Sequence, residues 1–222
     1  MKQAGYEGFE GGNMFAAHGE SLIRDLLAET GLAVAGMHSG YGDQLDQAKL
    51  EANLAYLKAV GAKYYINSGV AQAEGIKAYE EAAETFNRVG QLCKQEGLVF
   101  CYHNHAWEFE EFNGVKGIHR LFELTDPDLV KACIDVYWVT IGGESPAEFV
   151  ERYADRAVYF HFKDGGPGWF TELGKGEVDL VAAKDAALKV GPEWIVTEQD
   201  RSDKDPALSI QESLDYLRGI GL

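Results

Sequence analysis

Short, nearly continuous apolar runs alternate with longer stretches of helical periodicity along the whole chain. The runs cover residues 6–10, 32–38, 63–68, 98–105, 131–138, 157–163 and 193–198. Strands are continuously apolar, rather than alternating, when helices cover them and both faces are buried. The intervening stretches repeat their apolar residues at helical spacing near 20–30, 45–60, 75–96, 116–124, 145–155 and 178–190, and a last helix at 210–217 closes the chain. Gly31, Gly61, Gly97 and Gly191 each follow a helix and precede a strand, the place where glycine supplies a left-handed C-cap.

Repeated βα units predict a (β/α) barrel or a doubly wound sheet. Polar residues at several strand ends favour the barrel, which gathers its C-terminal strand ends at one mouth, whereas an open sheet focuses ligands at a single crevice. The expected fold is a TIM (β/α)8-type barrel forming one domain over residues 1–222, with no linker or internal repeat marking a second unit. A complete barrel has eight strands and about 250 residues. Seven strands are visible and residue 6 already enters one, so the first βα unit is the one expected to be lacking.

With 222 residues and 46% hydrophobic content, the chain can bury one sizeable core, and nothing in it reads as disorder or a membrane span. A net charge of −16 repels nucleic-acid backbones and anionic membrane surfaces, so neither is an expected partner. The cysteines Cys93, Cys101 and Cys133 are odd in number, lie in apolar or helical runs and lack CxxC spacing. Reduced, buried thiols are expected. The first residues contain no apolar signal segment, and a cytoplasmic protein acting on a small molecule is the expectation.

Four of the runs end on a residue that can bind a divalent metal: His103, Asp135, His161 and Glu198, separated by 32, 26 and 37 residues. One-strand-one-helix spacing of this kind can place all four around a single ion at a barrel mouth. Burying imidazoles and carboxylates together without a cation would cost roughly several kcal/mol. The oxygen and nitrogen set, with no thiolate, suits Mn, Co, Mg, Fe or Zn. Because side chains alternate along a strand, His105 shares the face of His103 and Lys163 that of His161, so both are candidates for contact with substrate, while Asn104 is expected to bond within the barrel wall. For Lys163 an ion pair with Glu198 or Asp164 is the alternative. Glu108 lies past a strand end, either solvated or curled back as ligand or base. His38 and Glu10 end the second and first runs and are candidates for the same mouth, as is Trp138, which with Trp107 and Trp169 offers aromatic faces either for the C–H surface of a ligand or for core and loop packing alone. His18 and His119 are expected to be solvated.

The segments Tyr-His-Asn-His-Ala-Trp-Glu-Phe (102–109), Ile-Asp-Val-Tyr-Trp (134–138), His-Phe-Lys-Asp (161–164), Gly-Lys-Gly-Glu-Val-Asp (174–179) and Thr-Glu-Gln-Asp (197–200) resemble the sugar phosphate isomerase/epimerase family, the xylose-isomerase-like TIM barrels. Gly-Tyr-Glu-Gly-Phe-Glu (5–10) extends the likeness over nearly the whole chain. The resemblance implies a divalent metal held by residues of the last four strands, here Asp135, His161 and Glu198 with a group from the 102–105 strand. Many relatives carry a glutamate at the first position, where this chain has His103. Family epimerases use two metal-bound carboxylates on opposite faces of the sugar, so this departure changes either the ligand set or the second base, with His103 or Glu108 in its place. The implied function is metal-dependent isomerisation or epimerisation of a sugar or keto-sugar: Glu198 removes a proton beside the carbonyl and an enediolate forms. The alternative is a dehydratase or lyase of a keto-sugar or inosose. An endonuclease of the same fold is disfavoured by the charge, and an inactive truncated remnant is a further alternative. An open barrel exposes unpaired strand edges, so a homo-oligomer is expected.

Overall fold

The computed structural model describes residues 1–12 and 18–222. Seven parallel strands form one sheet in chain order: β1 (Gly8–Gly11), β2 (Ala33–Gly40), β3 (Tyr64–Ser68), β4 (Val99–His103), β5 (Val130–Asp135), β6 (Ala157–Phe162) and β7 (Trp194–Thr197). Each pairs only with its sequence neighbours, and helices Glu20–Thr30, Gln47–Ala59, Lys77–Gln95, Gly117–Leu124, Pro146–Arg152, Leu180–Val190 and Pro206–Gly219 cover the outside. The sheet curls into a nearly closed barrel, as expected. Gly31 and Gly191 end their helices at φ 63 and 70, the left-handed conformation that lets the chain turn into the next strand.

Local side-chain chemistry moved two boundaries. The single helix expected at 45–60 is divided at Asp46, whose carboxylate accepts from the Ala48 and Lys49 amides and caps Gln47–Ala59. The strand expected at 131–138 stops at Asp135, which accepts from the Trp138 amide at 3.0 Å and so starts the short helix Val136–Ile141. Trp138 is therefore a helical residue. Beyond the barrel strands, two small hairpins, Glu111–Phe112 with Val115–Lys116 and Asp164–Gly166 with Trp169–Thr171, are too short to leave a hydrophobic pattern.

The core has two layers. Between sheet and helices, Phe86 packs on Phe100 and Tyr102, each with ring centroids 5.4 Å apart, and Phe122 and Phe149 continue the aromatic layer. Gly90 lets the helix Lys77–Gln95 lie against the Leu129 backbone, where a side chain would collide. Inside the barrel, Ala35, Tyr64, Ile66, Cys101, Cys133 and Tyr159 form a separate buried cluster. All three cysteines are buried and unpaired, and burial pushes the Cys133 thiol up to about 12.

No ladder joins β1 to β7. Between them runs a cleft of about 730 Å³, lined by Gly8 and Phe9 on one side and by Trp194, Ile195 and Val196 on the other. The Tyr6 hydroxyl reaches across it, donating to the Ile210 carbonyl at 2.8 Å and lying 3.0 Å from Thr197 Oγ1. Among the described residues no helix is long and apolar enough to cross a membrane. Two facing strand edges that no ladder joins favour association. Light scattering at micromolar concentration is expected to find a dimer or larger species, and a well-folded monomer would contradict this.

Candidate metal centre

The interior layer dictates what stands above it. Residues two apart on a strand share a face, so Cys101, Cys133, Tyr159 and Val196 inside the barrel are followed toward the mouth by His103, Asp135, His161 and Glu198. Asp135 and His161 are direct partners in the β5–β6 register, and the Glu198 amide is tied to the Phe162 carbonyl at 2.9 Å. The four side chains present ligand atoms that all lie within 4.8 Å of one another. His103, Asp135 and His161 are buried, whereas the Glu198 side chain is 30% exposed.

Within this group His103 Nε2 lies 3.5 Å from Asp135 Oδ2 and 3.8 Å from Glu198 Oε2, and His161 Nδ1 abuts Glu198 Oε2. Both nitrogens of His103, Asp135 Oδ2, His161 Nδ1 and Glu198 Oε2 are buried without a hydrogen-bond partner. Such atoms are rare in folded proteins because each loses its hydration. Two imidazole nitrogens and two carboxylate oxygens aimed at one point fit a divalent cation, which would satisfy them together. Burial, with Glu198 alongside, pushes the Asp135 carboxyl up to about 7. Burial also works against the Glu198 anion, yet His161, His103 and Lys163 hold that carboxyl well below its usual range. The His103 imidazole is driven well below its usual value by burial, with His161 and His38 adding to the effect.

The other candidate residues fall into distinct places. Asn104 bonds within the wall as expected, donating to the Asp135 carbonyl at 3.2 Å and accepting from its amide at 3.0 Å. Lys163 donates to Asp200 at 2.8 Å and Glu198 at 3.3 Å, with its ammonium over the rings of Phe170, Trp138 and Tyr137. The expected alternative partner, Asp164, serves the backbone instead. Its carboxylate accepts from the amides of Gly165, Gly174, Gly176 and Val178 at 2.8–3.2 Å, which folds the 164–178 loop. Two recognisable motifs thus meet in one carboxylate.

Glu108 curls back but lies outside the four-residue group. It is fully buried, with Oε1 accepting from the Tyr102 hydroxyl at 2.7 Å and Oε2 from the His105 amide at 2.8 Å. Burial outweighs these two bonds and pushes its carboxyl up to about 7. His105 stacks on Trp107, with centroids 3.9 Å apart, and stands 4.7 Å from the His103 ring. Trp107 and Trp169 are 50% and 43% exposed on the loops after β4 and β6. Both oxygens of Glu10 are taken, by His38 Nδ1 at 3.1 Å and His161 Nε2 at 2.7 Å, and His38 Nε2 meets Ser68 Oγ at 2.9 Å. Burial opposes ionisation of Glu10, yet His161 and His38 hold it far below the usual carboxylate range.

Sequence reasoning missed Ser68, which ends β3 and was identifiable by the same strand-end rule. His119, expected in solvent, is instead half-buried between the Tyr153 hydroxyl at 2.7 Å and Glu144 at 2.9 Å. His18 is exposed, as expected.

A parallel barrel with a polar group of this composition at its mouth is the architecture of the xylose isomerase-like TIM barrels. The chain belongs to the xylose isomerase-like TIM barrel family, whose model it matches over residues 1–220. It is 28% identical to an inosose dehydratase of Geobacillus kaustophilus over 94% of this chain and 80% of that protein. Its fold matches a sugar phosphate isomerase/epimerase of Parabacteroides distasonis with a TM-score of 0.86 at 20% identity, covering 98% of this chain and 88% of the other. It also matches a 3-keto-D-glucoside 4-epimerase of E. coli with a TM-score of 0.77 at 19% identity, covering 98% and 91%. Fold and family are those expected from the motifs.

If the four-residue group holds the cation, Asp135→Ala should abolish stoichiometric Mn²⁺ or Zn²⁺ uptake; unchanged metal content by elemental analysis would remove the assignment. A second prediction concerns Glu108. Its folded carboxyl titrates near 7 against an ordinary 4.5, so its contribution to stability is complete below about 4.5 and is lost as pH rises through about 7. Glu108→Gln keeps a carbonyl acceptor for the His105 amide, turns its NH2 toward the Tyr102 hydroxyl oxygen, and does not titrate. Its melting temperature should gain on the wild type between acidic and mildly alkaline pH, by up to ~3 kcal/mol in stability. Parallel pH profiles for the two proteins would show that Glu108 does not titrate in that range.

Proposed function

We propose that this chain is a divalent-metal-dependent dehydratase that removes water from an uncharged keto-sugar or inosose. The observation that supports it best is the supply of carboxylates at the cluster. Epimerisation needs proton traffic on two faces, but position 103 is histidine and Glu108 is locked beneath the mouth by Tyr102 and the His105 amide. Asp135 is fully buried and caps a helix. Glu198 is the one partly exposed carboxylate of the group. One base suffices for elimination.

A cation held by His103, Asp135, His161 and Glu198 would supply Lewis-acid polarisation of the substrate carbonyl. Glu198 takes the proton from the carbon beside the carbonyl, and the C–H electron pair forms the enolate. The enolate expels the hydroxyl on the next carbon, breaking that C–O bond and leaving a C=C bond. Lys163 gives the departing hydroxyl a proton, so that it leaves as water, and is reprotonated by Glu198 across their 3.3 Å contact. The Lys163 charge is already matched by Glu198 and Asp200, which favours an uncharged substrate over a phosphorylated one. The 28%-identical inosose dehydratase supports the same reading.

The test is incubation of the Mn²⁺- or Zn²⁺-loaded protein with inososes and keto-hexoses, followed by NMR and mass analysis. Loss of one water is expected. A product of unchanged mass would replace dehydration with isomerisation or epimerisation through the same enolate. Glu198→Gln should retain metal in part and slow exchange of the substrate α-proton with D₂O by at least ~100-fold. Exchange at the wild-type rate would move the base elsewhere.

A further inference from the structure

Glu10 sits on β1, across the open side of the sheet from β7, and its carboxylate is shared between two imidazoles. Oε2 meets His161 Nε2 at 2.7 Å and Oε1 meets His38 Nδ1 at 3.1 Å. An ionised carboxylate only accepts, so both of those ring nitrogens carry their protons. With a cation bound, a His161 protonated at Nε2 alone would offer its lone pair at Nδ1. That atom is buried, has no hydrogen-bond partner and faces the metal-ligand group beside Glu198. For His38, protonation at Nδ1 leaves Nε2 as the acceptor for the Ser68 hydroxyl at 2.9 Å. Every hydrogen bond in the row Ser68, His38, Glu10, His161 therefore has one consistent direction.

We propose that Glu10 is a positioning residue that selects Nδ1 of His161 as the nitrogen presented to the divalent cation, with His38 and Ser68 holding Glu10 in place. Glu10 and His38 stood as candidate substrate contacts in the sequence. Here each oxygen of Glu10 and each nitrogen of His38 already has a protein partner, which gives both residues work within the protein. A carboxylate behind a ligating histidine fixes ring orientation and raises ligand basicity, and its loss typically costs 10–100-fold in metal affinity. The inference rests on the metal reading of the cluster and is independent of whether the reaction is dehydration or isomerisation.

The experiment measures Zn²⁺ affinity of the apoprotein by competition with a chromophoric chelator, for wild type, Glu10→Gln, Glu10→Ala and His161→Ala. Glu10→Gln keeps size and an acceptor for His161 but loses the charge, so about 10-fold weaker binding is expected, with about 100-fold for Glu10→Ala. Circular dichroism of metal-free Glu10→Gln should retain the wild-type secondary structure, which separates lost positioning from lost folding. Long-range nitrogen–proton NMR of the histidine rings in the Zn²⁺-loaded wild type should find His161 protonated at Nε2. Wild-type affinity in both Glu10 variants, with uptake abolished in His161→Ala, would overturn the role of Glu10 while leaving the metal site standing. Unimpaired uptake in His161→Ala would overturn the metal reading itself, and a His161 protonated at Nδ1 would overturn the assignment of the nitrogen.

Discussion

Everything at the mouth depends on crowding two imidazoles and two carboxylates into a space where their ligand atoms lie within 4.8 Å and several have no hydrogen-bond partner. Left to themselves such groups would rotate toward water. Three of the four are kept in place by bonds from outside the cluster, while His103 is fixed by burial. Asp135 is held by Asn104 and by its own helix cap, His161 by Glu10, and Glu198 by Lys163 and by its amide bond to Phe162. The desolvation cost of the cluster is thus met by hydrogen bonds made one layer away.

Six carboxylates surround this mouth, and environment rather than residue type gives each its work. Asp164 gathers four backbone amides and shapes a loop; Glu108 is sealed under the 102–105 strand; Asp200 neutralises Lys163; Glu10 faces two imidazoles; and Asp135 caps a helix while offering one oxygen inward. Glu198 is the one with an oxygen toward the cluster and a partly exposed side chain. A count of acidic residues near a barrel mouth would suggest two or three bases. Their hydrogen bonds reduce it to one.

How much of this was legible in the chain follows from the range of the interactions. Strand period and strand ends are local, and so His103, Asp135, His161 and Glu198 could be picked out by register alone, as could the face shared by His161 and Lys163. The extension of β5 to Trp138 failed because the strand is ended by a side-chain cap, which hydrophobicity does not report. The burial of Glu108 and the pairing of His119 with Glu144 and Tyr153 depend on segments that meet only in the folded molecule. Glu10 was visible as a strand end, but its direction toward His161 follows from the closing curl of the sheet, 151 residues away in sequence.

That last contact has a dynamic consequence. Where most barrels close through a ladder of backbone hydrogen bonds, here a carboxylate–imidazole bond runs from β1 to β6 and the Tyr6 hydroxyl reaches Thr197 on β7. Breaking a ladder is a cooperative local unfolding event, slow and costly. His161 is buried and Glu10 nearly so, so this bond opens only when packed side chains around it rearrange, and not at the rate of an exposed rotamer. Closure on this side thus rests on side-chain contacts, one of which uses an imidazole of the cluster.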